Sequence, residues 1–146
     1  MNRKLHTIGF QFVEFVPETL ASGVLYISVE YKTMVHLCFC GCSTKVVTPL
    51  SPTGWRLSFD GRTVSVAPSI GNWNLKCKSH YVISGSRVEW HGAWTKEQIA
   101  AGFARDQAVK VQYYGQKDTG AASATLPAPQ QPRAGLVSRF IRFLFG

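Results

Sequence analysis

Four cysteines and four histidines are the residues of this 146-residue chain best suited to hold a metal or move a proton. Three of the cysteines crowd into His36-Leu-Cys38-Phe-Cys40-Gly-Cys42, and the fourth opens Cys77-Lys-Ser-His80. Disulfides between cysteines two residues apart have poor geometry, so close-set thiols point instead to a reducing compartment, here the cytoplasm, and to a metal. Zinc takes four thiolate or imidazole ligands in a tetrahedron, commonly offered as two short-spaced groups from different turns. Five residues compete for the four places: Cys38, Cys40, Cys42, Cys77 and His80. The spacing predicts Cys38 or Cys40 together with Cys42, Cys77 and His80, with Gly41 permitting the tight backbone between Cys40 and Cys42. The alternative is that the thiols are ordinary buried residues. His36 alternates with strand residues and reads as a half-buried polar tip, whereas His6 and His91 have no partner spacing and read as surface residues.

Nucleophilic chemistry needs a hydroxyl or thiol beside a base that a third group orients. Cys77 and His80 are close in sequence, but catalytic pairs usually meet across a fold, so a cysteine of the first group facing His80 is the better cysteine reading. With only three metal ligands, water takes the fourth place and a carboxylate serves as base, with Glu14, Glu30 and Asp60 as candidates. Pro68-Ser-Ile-Gly-Asn-Trp73 is rich in turn formers and reads as a structural loop anchored in the core by Trp73. Its functional reading is a rigid loop presenting Ser69 and Asn72 to a substrate backbone. The catalytic candidates are therefore His80, Ser69, Asn72 and Asp60.

The elements that must position these groups are strands. Phe10 to Phe15 and Val24 to Tyr31 read as extended, the second rich in Val, Ile and Tyr, with Val16 to Leu20 between them as a single helical turn. Met34 to Phe39 runs extended into the cysteines, and Lys45 to Thr48 is a strand stopped by Pro49 and Pro52. Trp55 to Phe59 and Thr63 to Val66 alternate around Asp60-Gly61, a hairpin signal. Tyr81 to Ile83 and Arg87 to Trp90 flank Ser84-Gly85-Ser86 as a second hairpin. This pattern predicts a mainly β domain, a small antiparallel sheet or barrel with a zinc site and one C-terminal helix. Thr95 and Gln98 form a capping box for that helix, expected from Lys96 to about Val111, with Ile99, Ala100, Phe103 and Val109 as a narrow apolar stripe against the sheet.

Residues 1–115 thus make one zinc-binding domain. Residues 116–134 are a linker of Gly, Ala, Ser, Thr, Pro and Gln. Residues 135–146 form an amphipathic tail helix suited to a protein groove. Five of the eight net positive charges fall in residues 1–4 and 116–146, so little of the excess is left to make a basic face on the domain itself. Trp55, Trp73, Trp90 and Trp94 can stack on bases, but no lysine- or arginine-rich strand separates them. DNA is therefore not an expected partner, and an RNA-binding β domain stands as a minor alternative. No stretch approaches the roughly 18 apolar residues that span a bilayer, and the N-terminus lacks the features of a signal peptide.

At His36 to Cys42, Val46 to Pro52, Phe59-Asp60-Gly61, Pro68 to Trp73 and Cys77-x-Ser79-His80-Tyr81, the chain resembles a small bacterial domain family encoded beside ubiquitin-like conjugation cassettes. Such cassettes pair an adenylating enzyme, a conjugating-like enzyme and a ubiquitin-like protein, often in phage-defence islands. The resemblance covers about residues 10 to 106. Phe39 departs from it, since the family more often has Pro between the first two cysteines, and residues 116–146 lie outside it. It implies a cytoplasmic antiviral-defence hydrolase, a peptidase that matures or deconjugates the ubiquitin-like protein, with that protein and its adenylating and conjugating enzymes as partners. It does not identify a nucleophile. The alternative within the same pathway is a non-catalytic zinc-stabilised binding module.

Overall fold

The computed structural model describes residues 3–121. Eight strands and one helix follow in chain order: β1 (Gly9–Phe12), β2 (Val24–Ser28), β3 (Thr33–Leu37), β4 (Lys45–Pro49), β5 (Arg56–Phe59), β6 (Val64–Gly71), β7 (His80–Ser84), β8 (Arg87–Trp90) and α1 (Lys96–Ala121). They form two four-stranded sheets in simple chain order, β1 to β4 and β5 to β8. The mainly β architecture with one C-terminal helix is the one the strand pattern predicts, divided between two sheets that share a core. One pairing departs from the antiparallel expectation: β1 runs parallel to β2, with Gly9 opposite Val24 and Phe12 opposite Ile27. Residues 13–23 carry the chain back to the same end of the sheet, as parallel pairing requires. They contain bends and a turn rather than the helical turn expected at Val16 to Leu20.

Alternation decides which side chains meet. In β4, Val46 and Thr48 are buried while Lys45, Val47 and Pro49 are exposed, the pattern of a strand with one wet face. Leu25, Ile27, Met34 and Val46 from the first sheet join Val64, Val66, Ile70, Tyr81, Ile83 and Val88 from the second in one core. Phe39, just past β3, is completely buried with them. Burial of a side chain of this size contributes about 1.5–3 kcal/mol.

Both predicted hairpins form. Phe59 pairs with Val64 around Asp60-Gly61, and Asp60 ties that turn by accepting from the N–H groups of Arg62 and Thr63 at 2.8 and 2.6 Å. Ser84 pairs with Arg87, and Gly85 and Ser86 between them both have positive φ, as the two-residue turn that matches strand twist demands.

The segment from Pro68 is strand rather than loop, because β6 continues to Gly71. Val66 lies opposite Ile83 and Ile70 opposite Tyr81, so β6 spends four residues where β7 spends two. Such an irregularity accommodates Pro68, which has no N–H for the ladder, and re-aims the side chain beside it. That neighbour is Ser69.

The capping box forms as expected: Gln98 N–H donates to the Thr95 hydroxyl at 3.2 Å, and Thr95 N–H donates to the Gln98 side chain at 2.9 Å. The helix continues past the expected end at Val111 to Ala121, through residues the composition assigns to the linker. Of its expected apolar stripe only Ile99 is partly covered, and Ala100, Phe103 and Val109 are exposed. Residues 122–134 of the linker and the tail at 135–146 lie outside the described residues. Among the described residues, no helix is long and apolar enough to cross a membrane.

Candidate active site and sulfur cluster

The irregular stretch of β6 aims Ser69 at His80, the first residue of β7. The Ser69 hydroxyl lies 2.9 Å from His80 Nε2, and His80 Nδ1 lies 3.2 Å from the Gly92 carbonyl oxygen. A carbonyl can only accept, so Nδ1 carries a proton, and in the neutral ring Nε2 then accepts from the Ser69 hydroxyl. That tautomer is the one a general base requires. The Trp55 indole N–H donates to the Ser69 carbonyl at 3.4 Å, so the serine is held through its backbone as well as its side chain.

An open cleft runs from this pair to helix α1. Trp55, Pro68, Trp73, Trp94, Ile99 and Phe103 supply its apolar walls, and Arg105 and Asp106 supply its charges. Ser69 is partly exposed there and His80 is buried, the arrangement in which a serine meets substrate while its base is shielded. The Trp73 indole lies over the α-carbon of Gly71, where a methyl group would come within 2.5 Å of Nε1. Trp73 stacks on Trp94 with centroids 5.3 Å apart, and Trp94 backs onto Gly102 of α1, where a methyl would meet its ring at 3.0 Å. Two glycines thus seat two indoles, and the indoles form one wall beside His80.

The sulfur atoms of Cys38, Cys40, Cys42 and Cys77 all lie within 4.8 Å of one another. A zinc ion with four sulfurs at about 2.3 Å needs sulfurs about 3.8 Å apart, and Cys38 Sγ stands 3.4 Å from Cys40 Sγ and 3.9 Å from Cys77 Sγ. Local backbone makes this convergence possible. Gly41, Ser43 and Lys78 each follow a cysteine and each has positive φ, curling the chain back after each sulfur. Cys38, Cys40 and Cys42 each accept a backbone N–H from the residue two positions on, Cys40, Cys42 and Thr44 in turn, and each such bond favours the thiolate. Burial raises the Cys38 thiol against a lowering hydrogen bond from Ser79, and burial raises Cys40 further. Partial burial opposes ionisation of Cys42 too, but hydrogen bonds from the Thr44 hydroxyl and N–H outweigh it and bring that thiol down to about 7. Four sulfurs with backbone donors aimed at them suit a thiolate-binding metal ion, and these four cysteines can hold one.

The predicted ligands therefore separate. Four of the five converge, and His80 does not join them, because both of its ring nitrogens are engaged with Ser69 and Gly92. Strand alternation is the reason: Ser79 reaches the sulfurs, at 3.1 Å from Cys38 and 3.5 Å from Cys77, while His80 next to it faces the cleft. The catalytic candidates separate as well. Asn72 is not at the cleft; its side-chain amide donates to the Ser79 hydroxyl at 2.8 Å and to the Tyr81 hydroxyl at 3.4 Å, and lies 3.8 Å from Cys38 Sγ. Asp60 stays in its turn, where the Thr63 and Arg62 N–H groups hold its carboxyl below the usual range. His36 is wholly buried rather than half-buried: Nε2 meets the Tyr81 hydroxyl at 2.7 Å, the ring stacks on Phe39, and Nδ1 has no partner. Burial pushes its pKa down to about 3.

Several parts of the site had no sequence signal. The Gly92 carbonyl is backbone, and Trp94 became a wall of the cleft only because α1 begins beside it. His91, exposed as expected, brings its ring to 5.2 Å from that of His80.

No curated protein and no solved structure matches the chain. Residues 12–91, more than half of its length, match the family described as bacterial ubiquitination-like system serine protease (BubE), and this span holds every cysteine as well as Ser69 and His80. With a serine and a histidine in contact inside that span, the chain belongs to the bacterial ubiquitination-like system serine protease family.

Proposed function

We propose that the protein is a serine peptidase that matures or deconjugates the ubiquitin-like protein of its conjugation system, with Ser69 as nucleophile and His80 as general base. The observation that carries this reading is the 2.9 Å contact between the Ser69 hydroxyl and His80 Nε2. In the first half-reaction the Ser69 oxygen attacks the scissile carbonyl as its proton passes to His80 Nε2. The imidazolium then returns that proton to the departing amine, and the carbon–nitrogen bond breaks to leave an acyl-serine. In the second half-reaction water attacks the ester, gives its proton to His80, and Ser69 is released with its hydroxyl restored. The Gly92 carbonyl keeps the ring oriented throughout.

In this reading the four cysteines hold zinc as a structural ion. Four thiolates complete a tetrahedron and leave no open position for water or substrate, and the cluster engages Asn72 and Ser79 rather than the cleft. Binding there fastens the turn after β3 to the turn before β7, and so fixes the start of the strand that carries His80. Metal-bound thiolates suit a reducing compartment, consistent with action in the cytoplasm beside the adenylating and conjugating enzymes, and with a part in antiviral defence. The test is incubation with the cassette's ubiquitin-like protein, extended at its C-terminus or conjugated. Cleavage by the wild type and none by Ser69→Ala is expected; no cleavage by the zinc-loaded wild type overturns the proposal.

A further inference from the structure

Gly71 is the last residue of β6, and its backbone groups face away from β7. In an antiparallel pair successive residues turn their N–H and C=O groups alternately toward the partner strand and away from it. Asn72 N–H donates to the Ser79 carbonyl at 2.8 Å, so Asn72 is turned toward the β7 side. Gly71, opposite His80, is therefore turned away. His80 in turn sends its carbonyl to the His91 N–H at 2.8 Å, on the far side of β7. Ser69 is turned the same way as Gly71, since its carbonyl accepts from the Trp55 indole.

On that side of β6 the neighbouring strand stops short. β5 begins at Arg56, opposite Ala67, and the Trp55 backbone before it is bonded to Pro49 and Ser51. Among the described residues none takes up the Gly71 N–H and C=O, and Gly71 lines the cleft together with Ser69 and His80. The Trp73 indole covers one face of this glycine, so its backbone groups are reached along the strand edge. A free donor and a free acceptor on one strand residue match an extended peptide, which adds to a sheet edge through main-chain hydrogen bonds.

We infer that the acyl side of the substrate binds as an added strand on this edge, with Gly71 exchanging both backbone hydrogen bonds with one substrate residue. The inference deepens the peptidase reading and rests on Ser69 as nucleophile. Maturation and deconjugation have the acyl side in common, so the held segment runs from Gly71 toward Ser69, antiparallel to β6. Two residues of strand span about 6–7 Å, so the residue held at Gly71 stands two positions before the one whose carbonyl is attacked. The substrate class is an unfolded, extended C-terminal segment, because only a chain with its own backbone groups free can pair with the edge. These bonds are main-chain and hold whatever side chains the segment carries, which leaves selection among segments to the walls of the cleft.

Two measurements on the zinc-loaded full chain test this, with peptides that carry the C-terminal sequence of the cassette's ubiquitin-like protein and a short extension. The first replaces single substrate amides by esters, which removes one N–H at a time. An ester at the held residue deletes the N–H offered to the Gly71 carbonyl and lowers kcat/KM about three- to tenfold. An ester at the residue after it, whose N–H points away from β6, leaves kcat/KM within about twofold. Equal losses at both positions, or no loss at the first, overturn the inference. The second measurement follows amide hydrogen exchange by NMR in Ser69→Ala, which binds without cleaving. In the free chain the Gly71 amide exchanges fast; saturating peptide slows it at least about tenfold and leaves the amide of Gly61, in its distant turn, unchanged. Unchanged exchange at Gly71, or no binding of the peptide, overturns the inference. Failure of the wild type to cleave any of these peptides would mark failure of the catalytic assignment itself. Protection of Gly71 in Ser69→Ala then still upholds strand addition at this edge, and its absence refutes it.

Discussion

His80 and Tyr81 are consecutive on β7 and serve opposite faces of the second sheet. His80 meets Ser69 in the cleft, while the Tyr81 hydroxyl meets His36 in the core at 2.7 Å. One strand thus carries the proposed base on one side and the buried polar network on the other. The two substitutions His80→Gln and Tyr81→Phe separate these roles. His80→Gln removes the base and is expected to lower turnover by at least about a thousandfold with little change in thermal midpoint. Tyr81→Phe leaves both nitrogens of a buried imidazole without partners and is expected to cost about 1–3 kcal/mol of stability while turnover persists. Parallel kinetics and denaturant titrations check both.

Gly71 supports the cleft by having no side chain. Gly71→Ala drives a methyl group to 2.5 Å from the Trp73 indole, so the ring must leave its place against Trp94 and His80. We predict destabilisation of about 1–3 kcal/mol together with loss of activity. Gly61→Ala is the control: the φ of +93° at Gly61 makes the change a strained one, but nothing lies within 4 Å of the new methyl, so stability falls while the fully folded fraction keeps its activity. Urea titration and kcat/KM for both variants test the distinction.

Turns and close-set cysteines are legible in the sequence; which face of a strand a residue takes is not. Asp60-Gly61 announced one hairpin and Ser84-Gly85-Ser86 the other, because turn chemistry is local. The clustering of Cys38, Cys40, Cys42 and Cys77 announced the sulfur group for the same reason. Spacing along the chain groups His80 with the cysteines because it does not reveal on which face of a strand a residue falls, and a one-residue step reverses the face. Pro68 and Gly71 are turn formers and make the sequence around Ser69 read as a loop, whereas the irregularity opposite β7 lets β6 absorb them. The Gly92 carbonyl and the seating of Trp94 on Gly102 arise from tertiary placement and leave no pattern to read.

The sulfur cluster should bind one metal ion per chain and contribute directly to folding. Metal analysis of the purified protein is expected to return close to one equivalent of zinc, and Cys42→Ser or Cys77→Ser to lose most of it. Chelation should lower the thermal midpoint by 10 °C or more, on the order of 2–3 kcal/mol for a domain of this size. A metal-free protein with an unchanged midpoint would refute the structural role of the ion.

His36 makes stability depend on pH. Its folded pKa is about 3, and in the unfolded chain it titrates near 6.5. Between these values the unfolded state holds a proton that the folded state does not, so stability falls as pH drops below 6.5, with a slope approaching about 1.4 kcal/mol per pH unit. Above 6.5 the residue is neutral in both states and contributes no slope. His36→Gln should flatten the dependence between pH 6.5 and 4.5 by that amount, read as the difference in urea midpoints between the two zinc-loaded proteins.

A Ser69 activated as nucleophile by His80 reacts with serine-directed phosphonylating reagents. The most direct measurement is intact-mass and peptide mapping after treatment with a fluorophosphonate near pH 8. A single adduct is expected on Ser69, absent in Ser69→Ala and strongly slowed in His80→Gln. An adduct elsewhere, or labelling of Ser69 at the same rate without His80, would contradict it.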